Sequence, residues 1–367
     1  MKVGAFSWTA GALLLLLLGS TALGLTLAEI AVRWLRPPAA SIIRYPCIYT
    51  EDERFGFRYL PGATGRVAGH FEIDNTVRMN SIGFYDDEPA PPGASDLVVL
   101  AVGDSFTAAL NVPREVVWTA VLERELRSRG FPSADVINLG IDGTGTDVHR
   151  DVLRAFIPRF RPQVVVVAFY ANDIVDVLHG RFSRECYRGY VLSYQDELQR
   201  LILRGRVDEH LRRRMAGWFF DRSYLVRLLS YAISGNSLFR LYFVQPTAAE
   251  LGITEAVKKE RHSGVAASFR DLLELSRRCD CRLVVVPVPP RRRLDGSLSV
   301  LRRWLGDVPL EIVDVVPAMM RMLAEDQRQT PDLFWENDDH LNVYGNLLFA
   351  RALAESDLWR SGAASDD

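Results

Sequence analysis

The chain carries almost no net charge. Lysine plus arginine number 44 and aspartate plus glutamate 46, a formal charge of −2. The basic surface that a dedicated nucleic-acid binder needs is therefore missing. Lysine is nearly absent: Lys2, Lys258 and Lys259 are the only ones, and arginine supplies the rest. Cysteine is scarce, with Cys47, Cys186, Cys279 and Cys281. No pair has the CxxC spacing of a zinc site, and Cys279-Asp280-Cys281 has no second pair to complete one. The reading is accordingly no metal and no cofactor, with Cys279 and Cys281 as two thiols flanking the start of a strand. A Cys47–Cys186 disulfide would require an exported domain. No internal repeat and no low-complexity tract interrupts the chain.

What is present is an ordinary globular composition, 48% apolar and 25% charged over 367 residues. That suffices for one large domain with extensions, or for two domains. No charge occurs between Lys2 and Glu29, and Leu13 to Leu18 are unbroken leucine. The stretch exceeds the roughly 20 apolar residues that span a bilayer, and it is longer than the roughly 7–15 residues of a signal-peptide core. Its pattern runs on through Ile30, Ala31, Trp34 and Leu35 and stops at Pro37-Pro38. Residues 1–37 are thus expected to be an uncleaved single-pass anchor. Residues 38–95, turn-rich and polar, read as an extension with a few short strands, one at Val67–Ile73.

From Asp96 the pattern changes. Leu97–Val102 is a continuous valine-rich run, the mark of a buried parallel strand. Asp135–Leu139, Val164–Tyr170, Leu283–Val288 and Leu310–Val315 repeat it, separated by helical segments such as Glu115–Ser128 and Thr146–Phe156. This alternation predicts a doubly wound α/β sheet over residues 96–358. Residues 180–262 break it. They are arginine-rich and read as a mostly helical insertion, with Leu225, Leu228, Leu229 and Ala232 on one helical face; the segment packs on the sheet domain or forms a lid over the site.

In open α/β sheets the ligand sits beyond the carboxyl ends of the strands. Gly103-Asp104-Ser105-Phe106-Thr107 follows the first strand, Gly140-Ile141-Asp142-Gly143-Thr144-Gly145 the second and Ala171-Asn172-Asp173 the third. Asn337-Asp338-Asp339-His340-Leu341-Asn342 lies near the chain's end. A serine hydroxyl needs a base to become a nucleophile, and His340 can supply one. A carboxylate can hold that histidine's tautomer. The Ser105 N–H, the Gly143 N–H and the Asn172 amide can meet an oxyanion. Each residue also has a plain structural reading. Ser105, Asn172 and Asp173 suit helix caps or turns, and Gly143 and Gly145 suit turns. His340 could be structural or metal-binding. His70, His149, His179, His210 and His262 read as solvated or structural. Arg291-Arg292-Arg293 reads as a solvated turn, or as a group that greets an anionic substrate.

In order, these four blocks resemble those of the SGNH/GDSL hydrolases. Arg78-Met79-Asn80-Ser81-Ile82-Gly83-Phe84 looks like a stretch that precedes this domain in membrane-anchored bacterial members. The resemblance covers roughly residues 78–180 and 265–355. It implies a flavodoxin-like sheet, Ser105 as nucleophile, His340 as base, and Ser105, Gly143 and Asn172 as the oxyanion hole. Two departures stand out. Asn337 occupies the position where the family usually has its aspartate, so the acid is expected at Asp338, two residues before the histidine. The first block also lacks the second glycine of GxSxG, which argues against an α/β-hydrolase elbow.

The expected activity is an esterase or deacylase acting on O-acyl groups of a small molecule or envelope glycan, from the extracytoplasmic side of a membrane. An O-acyltransferase using the same residues and a non-catalytic binding protein of this fold are the alternatives.

Overall fold

The structure is a computed structural model. It describes residues 4–37, 40–42, 44–212, 222–234, 243–246, 250–251, 254–305 and 308–359. Pro38 at the expected anchor boundary, parts of the 180–262 segment and the side chain of His262 lie outside these residues.

Helix α1 (Gly4–Leu35) is one continuous segment. Leu13 to Leu18 are all exposed. Residues Ala10–Leu35 have the length and apolarity of a membrane span or of a signal sequence. The helix ends where Arg36 adopts a left-handed conformation, just before Pro37.

The extension forms two antiparallel hairpins: β1 (Tyr49–Asp52) with β2 (Gly56–Tyr59), and β3 (Thr64–Gly69) with β4 (Ile73–Arg78). The single strand expected at Val67–Ile73 is therefore wrong. His70 and Phe71 both take positive φ, 54° and 64°, and reverse the chain there. Ile48, Phe55, Phe57, Tyr59, Val77 and Met79 are buried in the same core as the sheet that follows.

That sheet contains β5 (Val98–Gly103), β6 (Asp135–Asn138), β7 (Val164–Phe169), β11 (Arg282–Pro287) and β12 (Glu311–Ile312), in the spatial order β12-β11-β7-β5-β6. All four pairings are parallel. Counting only these strands, the order is 2-1-3-4-5, the flavodoxin-like doubly wound arrangement. Every residue of β7 is buried, as a central strand covered on both faces requires. The edge strand β12 is shorter than the apolar run Leu310–Val315 suggests. Asp314 accepts from the Val316 N–H, and Pro317 lies in the first turn of the next helix, so the run turns into that helix early.

Among its described residues the 180–262 segment is mainly helical, as expected, but it also carries strands. It opens with the hairpin β8 (Ser183–Tyr187) and β9 (Tyr190–Tyr194), joined by Arg188 and Gly189, both at positive φ. That is a two-residue primed turn, which matches the twist of the strands. The two-residue strand β10 (Phe243–Val244) adds in parallel to β9. Helices α6 (Glu197–Arg212) and α7 (Tyr224–Ser234) follow these strands or lie between them. A separate small core of Tyr190, Leu192, Tyr194, Leu203, Val207 and Val244 holds the unit together.

Both cysteine pairs are disulfide-bonded. Cys47 joins the extension to β8 at Cys186. Cys279 pairs with Cys281 rather than both standing as thiols. The long helix α8 (Glu255–Cys279) ends at Asp280 in a left-handed conformation, which folds Cys281 back toward Cys279.

Candidate active site

The carboxyl ends of β5, β6 and β7 deliver three of the four blocks to one edge of the sheet. After β5, Asp104 caps the short helix α2 (Ser105–Ala108), its carboxylate accepting from the Phe106 N–H at 2.9 Å. Ser105 is thus the first residue of that helix and not its cap. Its N–H sits where no intrahelical acceptor exists, at the positive end of the helix. After β6, Asn138 bonds the Thr107 carbonyl and accepts from the Gly140 N–H, locking the second block against α2. A Cβ on Gly140 would sit 2.3 Å from the Ala108 nitrogen, so only glycine fits that approach.

The fourth block arrives from the other end of the chain. Asn342 caps the last helix, α11 (Val343–Ala354), by accepting from the Gly345 N–H. Arg291 braces the preceding loop by donating to the Trp335 and Glu336 carbonyls, so it supports this loop rather than standing free in a turn. The loop presents His340 Nε2 at 2.8 Å from Ser105 Oγ and His340 Nδ1 at 2.5 Å from Asp338 Oδ1. Asp339, next along, is exposed. Burial pushes the His340 pKa down, but the hydrogen bond and charge of Asp338 outweigh it and leave the imidazole above its ordinary value. For Asp338 burial acts upward, and the bond to His340 outweighs it to hold the carboxyl below its ordinary value.

Ser105, Gly143, Asp338 and His340 line one cavity of about 290 Å³. Apolar side chains from the extension, including Tyr45, Val67 and Ile73, form much of its wall. Asn172 is not part of that wall. Its amide donates to Asp176 at 3.5 Å. Of the remaining histidines, His70 lines the cavity with Nε2 4.0 Å from Asp338 Oδ2, so it belongs to the site. His149 is buried against Thr144, and that burial pushes its pKa down to about 3.

A second polar group underlies the cavity. The Asp142 carboxylate accepts from Tyr59 at 2.6 Å, from Tyr49 at 3.1 Å and from Arg184 Nη1 at 2.7 Å. Arg184 is buried and stacks over Phe57, 4.0 Å from the ring centre. None of these four polar residues carried a role in the sequence reading. Asp142 lies inside a recognised block. Tyr49 and Arg184 each lie two positions from a cysteine of the Cys47–Cys186 bond, the one sequence signal that their segments meet.

Residues 101–348 match the family model of the GDSL-like lipase/acylhydrolase family. The chain belongs to that family and is an ester-hydrolysing enzyme. No curated protein matches it. Solved structures with a similar arrangement include TesA, 14% identical, covering 70% of this chain and 95% of its own at a TM-score of 0.37. An acetylxylan esterase from Geobacillus stearothermophilus, in a catalytic-mutant form, is 17% identical and covers 72% of this chain and 94% of its own, TM-score 0.36. The esterase EstA from a Pseudoalteromonas species is 13% identical, covering 71% and 96%, TM-score 0.35.

Proposed function

We propose that the chain hydrolyses O-acyl esters through Ser105 as nucleophile, His340 as general base and Asp338 as the acid that orients it. The observation that carries this reading is the continuous line Ser105 Oγ–His340 Nε2–His340 Nδ1–Asp338 Oδ1, with contacts of 2.8 and 2.5 Å. His340 takes the hydroxyl proton as Ser105 Oγ bonds to the acyl carbon. It then returns that proton to the departing alkoxide, and water repeats the cycle to release the acid. Asp338 stabilises the imidazolium in between. The Ser105 and Gly143 N–H groups receive the carbonyl oxygen as it becomes negative.

The substrate class is an O-acyl ester whose acyl group occupies the apolar cavity, carried by an envelope glycan. We further propose a single-pass anchor in α1 and a catalytic domain outside the cytoplasm. The Cys47–Cys186 bond supports that side, because structural disulfides persist in oxidising compartments.

A fluorophosphonate probe tests the nucleophile. Intact mass is expected to rise by one adduct in the native chain and by none in Ser105→Ala, with ester hydrolysis lost in parallel. Labelling that survives in Ser105→Ala sinks the assignment.

A further inference from the structure

We propose that Arg184 is a further catalytic residue, its Nη2 donating to the oxyanion beside Gly143. The proposal rests on Ser105 being the nucleophile. Gly143 takes φ +66°, and a Cβ built there would meet Arg184 Nη2 at 2.6 Å, so the guanidinium packs directly against this glycine. Arg184, Gly143 and Ser105 line the same cavity. Asn172, the expected side-chain donor, lies outside the cavity wall with its amide on Asp176 instead. The site therefore has a charged donor where a neutral one was expected.

The guanidinium is held ready for that task. Nη1 is fixed by Asp142, itself fixed by Tyr49 and Tyr59, and the plane rests on Phe57. Its Nε is buried with no hydrogen-bond partner among the described residues. Burying a charge pair in this way rarely adds stability over apolar packing, so its cost calls for another reason. An arginine fork can bond a carboxylate with one arm and present the other. When Ser105 Oγ bonds to the acyl carbon and its proton moves to His340, the carbonyl π pair moves onto oxygen. That oxygen gains a full charge beside Gly143. A buried, preorganised cation interacts with it far more strongly than with the neutral carbonyl.

The test uses the full-length chain in detergent with p-nitrophenyl acetate. Arg184→Met is expected to lower kcat by roughly 10²–10³-fold, typical for one oxyanion donor, with KM nearly unchanged. Asp142→Asn and the double variant Arg184→Met/Asp142→Asn separate donation from charge balance. If Arg184 donates, the double variant stays as slow as Arg184→Met. If the arginine only neutralises Asp142, the double variant recovers the rate of Asp142→Asn, and the proposal is wrong. A rise in KM at constant kcat also overturns it, since that marks ground-state binding of a substrate group. Should Arg184→Met fail to fold by thermal melting, Arg184→Lys is read in its place. It keeps the charge but loses the fork, so kcat is expected to fall at least about tenfold with the melting temperature preserved; wild-type kcat in that variant refutes donation. Ser105→Ala keeps the two readings apart: activity surviving there defeats the nucleophile assignment whatever Arg184 does.

Discussion

Asp338 Oδ1 accepts twice from His340, from the backbone N–H at 2.8 Å and from ring Nδ1 at 2.5 Å. The first contact fixes the carboxylate over its own turn, and the second uses that fixed oxygen to set the imidazole. Asp339 is exposed, with no such geometry. Asp338→Asn is therefore expected to lower kcat severely, toward the roughly 10⁴-fold loss known when a triad aspartate becomes asparagine. Asp339→Asn is expected to stay within a few-fold of wild type. Steady-state kinetics of the two single variants decide it, and an essential Asp339 would move the acid by one position.

The pH profile follows from the same pair. Only neutral His340 can take the Ser105 proton. The Asp338 contact holds the imidazolium above its ordinary pKa of 6.5 against the opposing push of burial. The acid limb of kcat/KM is thus expected to have its midpoint above 6.5, with activity rising as pH increases through it. In Asp338→Asn the opposing push of burial remains while the favourable charge is gone, so the midpoint should drop. A wild-type midpoint below 6.5 would contradict the assignment.

The sheet was legible because its strands are valine runs, a signal that needs no partner to be read. The four blocks were legible because each follows a strand or caps a helix. What escaped was everything set by reversals of direction. His70 and Phe71 carry no turn signature such as Asn-Gly, so one strand was read where a hairpin exists. Arg188-Gly189 is a turn signal, yet it was hidden inside a segment read by its arginine content. Arg184 escaped because its importance comes from Asp142 and Tyr49, 42 and 135 positions away, and local pattern holds no record of such contacts.

The two disulfides are expected to behave differently. Cys47–Cys186 closes a loop over a separation of 139 residues, and Cys279–Cys281 over a separation of 2. Stabilisation by a crosslink grows with the loop it closes, with typical values of about 2–4 kcal/mol for native bonds. Cys47→Ser should lower the melting temperature clearly, and kcat with it, because Cys47 and Cys186 lie two positions from Tyr49 and Arg184. Cys281→Ser should change neither by much. Equal effects in thermal melts would argue against this ranking.

The N-terminal helix α1 is also a structural partner of the catalytic unit. Glu29 in α1 accepts from Ser223 Oγ at 2.8 Å, from the Tyr224 N–H at 3.0 Å and from the Leu225 N–H at 2.8 Å. These are the first groups of α7, whose N–H donors have no acceptor within that helix. A carboxylate there also meets the positive end of the helix. Arg33 adds a bond to the Arg222 carbonyl. On its other side the Tyr224 ring stacks on Phe71 at 5.4 Å, and the neighbouring His70 lines the cavity beside Asp338. A chain truncated before Pro37 is expected to remain folded, because the sheet core contains no residue of α1. It should nonetheless lose the cap of α7. Hydrogen exchange is expected to rise in residues 224–234 while the valine strands stay protected. Glu29→Gln in the full chain isolates the cap: it removes the charge at α7 and leaves the uncharged run before Glu29 unchanged. Loss of a cap is worth about 0.5–2 kcal/mol, enough to raise exchange in a single helix severalfold. Unchanged protection of α7 in both variants would mean that the helix is held by its apolar face alone.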